Sequence, residues 1–153
     1  YMTKPFNSEK LKIRIEKLIT TRKKLQEFYS KNNALDFHNI KALKTEEQFF
    51  KKLQEAVKES IIQSDFTAET LSQLMHMSRM QLHRKLKALI GLTTSEFIRN
   101  ERLKLAVGLL EKTDYTVSEI AYQTGFNSPS YFIKCFKEVY QSTPSQYLEN
   151  AGK

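Results

Sequence analysis

From residue 45 onward, apolar side chains recur at three- and four-residue steps, and most of these runs open on a Ser or Thr. That is the period of helices packed by one face and capped at their ends. Thr45 with Gln48 opens the first as a capping box, and Phe49/Phe50, Leu53, Val57 and Ile61 supply its apolar side. Thr67 caps a short helix through Leu74. Ser78, with Gln81 in the reciprocal capping position, opens a helix whose Leu82, Leu86 and Leu89 share one side, and Gly91 ends it. Thr93 with Glu96 begins a long helix carrying Phe97, Ile98, Leu103, Ala106, Val107 and Leu110. Thr116 with Glu119 caps a short helix through Tyr122, stopped by Gly125. Ser128, with Pro129 at the first helical position, starts another through Tyr140. Thr143-Pro144 starts the last, with Tyr147 and Leu148 as its apolar residues. Upstream, Asn7 or Ser8 can cap a helix beginning near Glu9. Along it Leu11, Ile15, Leu18, Leu25 and Tyr29 form a near-heptad seam interrupted by Arg22. No strand-like alternation follows residue 7, and the expected fold class is all-α.

The pattern is written twice. Thr67 falls on Thr116, Leu71 on Ile120 and Met77 on Phe126. One residue is inserted at the turn, and thereafter the offset is fifty: Ser78 matches Ser128, Leu82 matches Phe132, Arg84 matches Lys134, Leu86 matches Phe136 and Lys87 matches Lys137. Thr93 and Glu96 match Thr143 and Gln146. Apolar positions stay apolar, caps stay caps, and both front-face basic positions, Arg84 and Lys87, stay basic, which chance seldom produces at this period. Each copy is a short helix, a tight turn and a second helix with a basic front, the helix-turn-helix plan. The units span about 67–90 and 116–140, and one helix over about 95–111 joins them.

In the first copy Met80, His83, Arg84 and Lys87 fall opposite the leucines, and Arg79 stands beside them. Alone, this segment reads equally as an amphipathic surface helix; its copy makes it a reading head for a DNA major groove. Arg84 suits bidentate contact with guanine O6 and N7, Met80 a thymine methyl, and His83 a base edge or phosphate. Lys87 and Arg79 suit phosphate. In the second copy Ser130, Tyr131 and Lys134 take the reading positions, with Ser128 and Lys137 near the backbone. Arg99 and Arg102 on the linking helix can brace the units or touch phosphate, and bracing is favoured.

Charge changes the picture less than its total suggests. The net charge is +8, but residues 1–44 hold eleven Lys/Arg against four Asp/Glu, while residues 45–153 hold fourteen against thirteen. The support for nucleic acid is therefore local clusters, not global charge. Cys135, the single cysteine, excludes an internal disulfide and fits a packing role beside Phe136. His38, His76 and His83 lack metal-ligand spacing, so no metal or other cofactor is expected. No apolar run spans a bilayer and no signal-peptide pattern opens the chain, which points to the cytoplasm. No nucleophile–base pair, metal cluster or phosphate loop supports an enzyme. The competing function is a protein-interaction module that works through the amphipathic N-terminal helix.

Residues 45–150 resemble the AraC-type transcriptional-regulator DNA-binding domain over MSRMQLHRKLKALIG, FIRNERLKLAVGLL, VSEIAYQTGFNSPSYFIKCFKEVY and TPSQYL. The resemblance implies base contacts at Met80, His83, Arg84, Ser130, Tyr131 and Lys134. The sequence departs from that family at Gln141, where glycine is usual, and at Thr94, where proline is frequent. Lys4-Pro5-Phe6 followed by LxxRIxxLI resembles the last strand and helix of a bacterial receiver domain, in which the lysine reads a phosphorylated aspartate. The order is similar to that of hybrid two-component regulators: 1–30 the end of a receiver, 31–44 a linker, 45–153 the DNA-binding domain. The resemblance further implies a longer parent with histidine kinase activity, anchored in the inner membrane. The partners it implies are promoter DNA in double-stranded form, with RNA polymerase a further one and no small-molecule ligand in this segment. A homodimer through residues 9–29 is the remaining expectation.

Overall fold

The computed structural model describes residues 8–32 and 44–150. Lys4-Pro5-Phe6 and residues 33–43 of the expected linker lie outside the described residues. The described residues form α1 (Ser8–Asn32), α2 (Lys44–Ser60), α3 (Ala68–Leu74), α4 (Arg79–Ile90), α5 (Thr94–Lys112), α6 (Val117–Gln123), α7 (Pro129–Tyr140) and α8 (Pro144–Asn150), with no strand among them. Where a capping box was expected ahead of α2, the helix already includes Thr45, so that residue stands inside the first turn.

The other caps fall where the hydroxyl residues put them. Ser78, Thr93 and Thr116 each accept from the backbone N–H three residues on, while Gln81, Glu96 and Glu119 accept from the cap's own N–H. Reciprocal bonds of this kind satisfy donors that the first helical turn would leave open. Thr67 and Ser128 accept in the same way from Thr70 and Tyr131, without the return bond.

Two apolar cores result, and each belongs to one copy of the repeat. The first gathers Phe50 and Leu53 of α2, Leu71 of α3, Leu82, Leu86 and Leu89 of α4, and Phe97 and Ile98 of α5. The second gathers Leu103, Ala106 and Leu110 of α5, Ile120 of α6, and Phe132, Cys135 and Phe136 of α7, with Tyr147 and Leu148 of α8 packed on it. Its aromatic rings form a chain: Phe126 to Phe132 at 5.2 Å, Phe132 to Phe136 at 5.7 Å, and Phe136 to Tyr147 at 5.7 Å, all edge to face. Burying each such ring contributes about 1.5–3 kcal/mol to the second core.

The duplication extends to single hydrogen bonds. At the first turn the N–H groups of Met75, His76 and Met77 donate to Leu71, Gln73 and Ser72. At the second, Thr124, Gly125 and Phe126 donate to Ile120, Tyr122 and Ala121. His76 and Gly125 occupy the same place and both take positive φ, 51° and 83°. After the reading helices, Gly91 and Gln141 likewise share the left-handed conformation, at 79° and 58°. Gln141, a departure from the family pattern, thus keeps the loop geometry that glycine adopts more easily.

α1 lies alongside α4, but its expected seam is not closed. Leu11 and Ile15 are exposed, as are Ile13 and Ile19, and Leu18 is half-buried. The side chains of Leu25 and Tyr29 lie outside the described residues.

Candidate nucleic-acid interface

The Ser78 capping box fixes the start of α4, and helical spacing does the rest. With Leu82, Leu86 and Leu89 in the core, Met80, His83, Arg84 and Lys87 stand on the outer side, all exposed. Met80 is 61% exposed, so its contribution to folding is small and its apolar surface is available to a partner. α1 flanks α4 without covering these side chains. Arg79 is exposed and pairs with Glu69 at 3.4 Å. Two water-facing partners form a weak pair, readily exchanged for a phosphate. Lys85, the remaining cation of α4, is turned away from this front: its Nζ sits 4.2 Å from the centre of the Phe49 ring on α2, a cation–π contact.

α7 repeats the arrangement. Phe132, Cys135 and Phe136 face the second core, and Cys135 is buried, as a packing residue should be. Ser130, Tyr131, Lys134 and Lys137 are exposed, and Ser128 at the cap is half-buried. The Tyr131 ring leans on Phe126 at 6.2 Å, leaving the side chain 53% exposed. The structure therefore brings the ten residues singled out above onto two helix fronts, five on α4 and five on α7 or its cap.

Between the fronts lies a joint whose contacts the sequence did not announce. Arg102, half-buried on α5, donates from Nε to the Ile61 carbonyl (3.0 Å) and from Nη2 to the carbonyls of Gln63 (2.7 Å) and Phe66 (3.2 Å). These carbonyls belong to the turn after α2, in the first unit. Burial pushes the Arg102 guanidinium below its ordinary range, the expected effect of a partly desolvated site. Gly125, in the turn of the second unit, backs onto the same place. A Cβ there would come within 2.9 Å of both Arg102 Nε and the Ile61 oxygen, and 3.0 Å of the Ile62 oxygen. Gly125 is thus required twice, for its positive φ and for its lack of a side chain. The expected bracing falls to Arg102.

Arg99, one turn earlier, is bound less firmly. Its Nη1 lies 3.6 Å from Glu138 Oε2, and its Nε is buried without a hydrogen-bond partner. His76 also went unnoticed as a turn residue, although the repeat places it on Gly125. Among the described residues no group of His, Cys, Asp and Glu is arranged to hold a metal ion, and no helix is long and apolar enough to cross a membrane.

Comparison with known proteins places this geometry. Residues 71–150 match the family described as a helix-turn-helix domain. The chain is 37% identical over 147 residues to histidine kinase P4 of Formosa agariphila, covering 96% of this chain and 11% of that protein. It thus spans about a tenth of that relative's length. Among solved structures, it is similar to the C-terminal domain of the two-component response regulator yesN from Fusobacterium nucleatum. That match has a TM-score of 0.60 and 33% identity, covering 69% of this chain and 99% of that one. It is also similar to the DNA-binding domain of AdpA, solved in complex with a target DNA. Here the TM-score is 0.58 and the identity 30%, covering 65% of this chain and 91% of that one. The duplicated helix-turn-helix units, the matched residues and these neighbours agree: the chain belongs to the AraC-type family of helix-turn-helix DNA-binding domains.

Proposed function

We propose that residues 45–153 read two successive major grooves of double-stranded DNA as the output domain of a two-component transcriptional regulator. The observation that carries this is the duplication of the two units, down to the backbone hydrogen bonds of their turns, each ending in a helix with an apolar back and an exposed, basic front. The α4 front reads one box: Arg84 contacts guanine, Met80 a thymine methyl and His83 a base edge, while Arg79 and Lys87 hold phosphates. The α7 front reads the other through Ser130, Tyr131 and Lys134, with Ser128 and Lys137 at the backbone. Successive grooves on one face of the duplex are about 34 Å apart, so one chain covers a two-box site without a symmetric partner.

Residues 1–30 are the end of a receiver domain and 31–44 the linker, within a cytoplasmic part of a longer kinase. α1 lies against α4, which gives the receiver a physical route to the first reading head. RNA polymerase is a further partner of the DNA-bound domain. The exposed Leu11, Ile13, Ile15 and Ile19 on α1 support a second role for residues 9–29, as a homodimer contact. Sedimentation of the chain with and without residues 1–30 tests it, and a monomer in both cases removes the dimer.

The DNA reading is tested by equilibrium binding to duplexes selected from a random-sequence pool. Arg84→Ala should lose about 1–3 kcal/mol and relax preference at one base pair. Lys137→Ala should weaken all sequences alike and lower the salt slope by about 0.9. Specific binding that survives Arg84→Ala but not Lys137→Ala reverses the assigned roles.

A further inference from the structure

The linking helix carries two arginines one turn apart, and they are held unequally. Arg102 is committed to three carbonyls. Arg99 lines a cleft of about 370 Å³ between the two units, together with Phe66, Thr67, Ser128 and Tyr131. Its side chain is 28% exposed, its Nε is buried and unpartnered, and its ion pair with half-exposed Glu138 is long at 3.6 Å. An unmatched buried guanidinium N–H is unfavourable unless something supplies an acceptor. A long, half-exposed pair is weak as a brace. Burial opposes the Arg99 charge, yet the guanidinium is held above its ordinary range, a hydrogen bond with the Tyr131 side chain contributing, and an arginine stays charged at neutral pH, so the cleft keeps a full positive charge.

The position of the cleft says what the acceptor is. One wall carries Ser128 and Tyr131, at the start of the second reading helix, and the other carries Thr67, at the start of the first unit's leading helix. When two reading helices occupy successive major grooves on one face, the minor groove lies between them, rimmed by a phosphate ridge from each strand. A cationic cleft between the heads then meets a ridge and no base edge. On the DNA-binding function inferred above, we propose that the cleft between the two units seats a phosphodiester of the DNA backbone between the two boxes. Arg99 donates to its oxygens through Nε and an Nη. The contact carries no sequence information; it clamps the spacer.

The test uses the 153-residue chain and a duplex it selects from a random pool, with salt titrations for wild type, Arg99→Gln, Arg99→Lys and Glu138→Gln. Arg99→Gln should lower the salt slope by about 0.9, which shrinks the wild-type advantage about 3.5-fold between 50 and 200 mM salt. The order of preferred bases should stay unchanged. Arg99→Lys should retain the slope. Glu138→Gln, which removes the competing carboxylate, should bind at least as tightly as wild type. Methylphosphonate linkages introduced one at a time between the boxes should weaken wild type at one or two positions and leave Arg99→Gln indifferent there. That arm involves no change to the protein and identifies the DNA backbone as the source of the anion. An unchanged slope in Arg99→Gln overturns the proposal, as does a loss in Glu138→Gln equal to that in Arg99→Gln, which would make the pair a brace. Either result with selective binding intact sinks only the clamp. Failure of wild type to enrich any duplex sinks the DNA-binding function itself.

Discussion

The joint at Arg102 and Gly125 invites a double-mutant cycle. Arg102→Ala removes two partly buried charge-assisted bonds, to Ile61 and Phe66, and one exposed bond to Gln63. Water replaces the exposed bond at little loss, and the other two contribute about 1.5 kcal/mol each. The expected destabilisation is therefore about 3 kcal/mol. Gly125→Ala has two separate penalties. A side chain at φ 83° costs about 1 kcal/mol. Its Cβ must also displace the Ile61 oxygen and Arg102 Nε, each 2.9 Å away, for about 1–3 kcal/mol of overpacking. Gly91→Ala is the internal control: φ is 79°, nothing lies within 4 Å of the added Cβ, and only the backbone penalty applies. Because the Gly125 and Arg102 penalties share atoms, the double variant should be more stable than their sum by at least about 1 kcal/mol. Urea unfolding followed by far-UV circular dichroism measures all four. The joint as described is refuted if Gly125→Ala is no worse than Gly91→Ala, or if the Gly125 and Arg102 effects simply add.

Three further outcomes are expected. Gln141→Gly should stabilise by about 0.5 kcal/mol in the same unfolding assay, since relief of the left-handed backbone exceeds the loss of the exposed bond from Gln141 Nε2 to Glu138. Ser78→Ala should cost about 1 kcal/mol by opening the capping box on Gln81, and the same change at Ser128, which lacks the return bond, should cost less. The Glu96 carboxylate is held below its ordinary value of 4.5 by hydrogen bonds from the Thr93 backbone and side chain. A lowered folded pKa means stability that is complete above 4.5 and lost as pH falls through the lowered value, so thermal melts of Glu96→Gln should depend less on acid than wild type.

The helices and their caps were legible because both are local. Ser78 and Gln81, or Thr116 and Glu119, meet within one turn whatever the rest of the chain does, and the leucines of α4 can face only one way once the helix forms. The two-fold plan was legible because residues 67–97 and 116–147 repeat their chemistry position by position. What escaped depends on contacts distant in sequence. Nothing near Arg102 announces acceptors 36 to 41 residues away. Gly125 was readable as a helix stop, whereas its role as a contact surface depends on where α2 ends. Lys85 is indistinguishable in sequence from Lys87 until Phe49 draws it aside. The α1 seam shows the same limit: a heptad pattern states that a face is apolar, not what covers it.

α5 passes through both cores without blending them. Phe97 and Ile98 end the first and Leu103 opens the second, and no buried side chain is counted in both. A change in the letters one head recognises therefore need not be compensated in the packing beneath the other. Operators whose two boxes drift at different rates can be followed half by half, by single substitutions on a surface whose foundations stay put. A duplicated unit held at a fixed spacing but packed separately is a vocabulary that can be revised one word at a time.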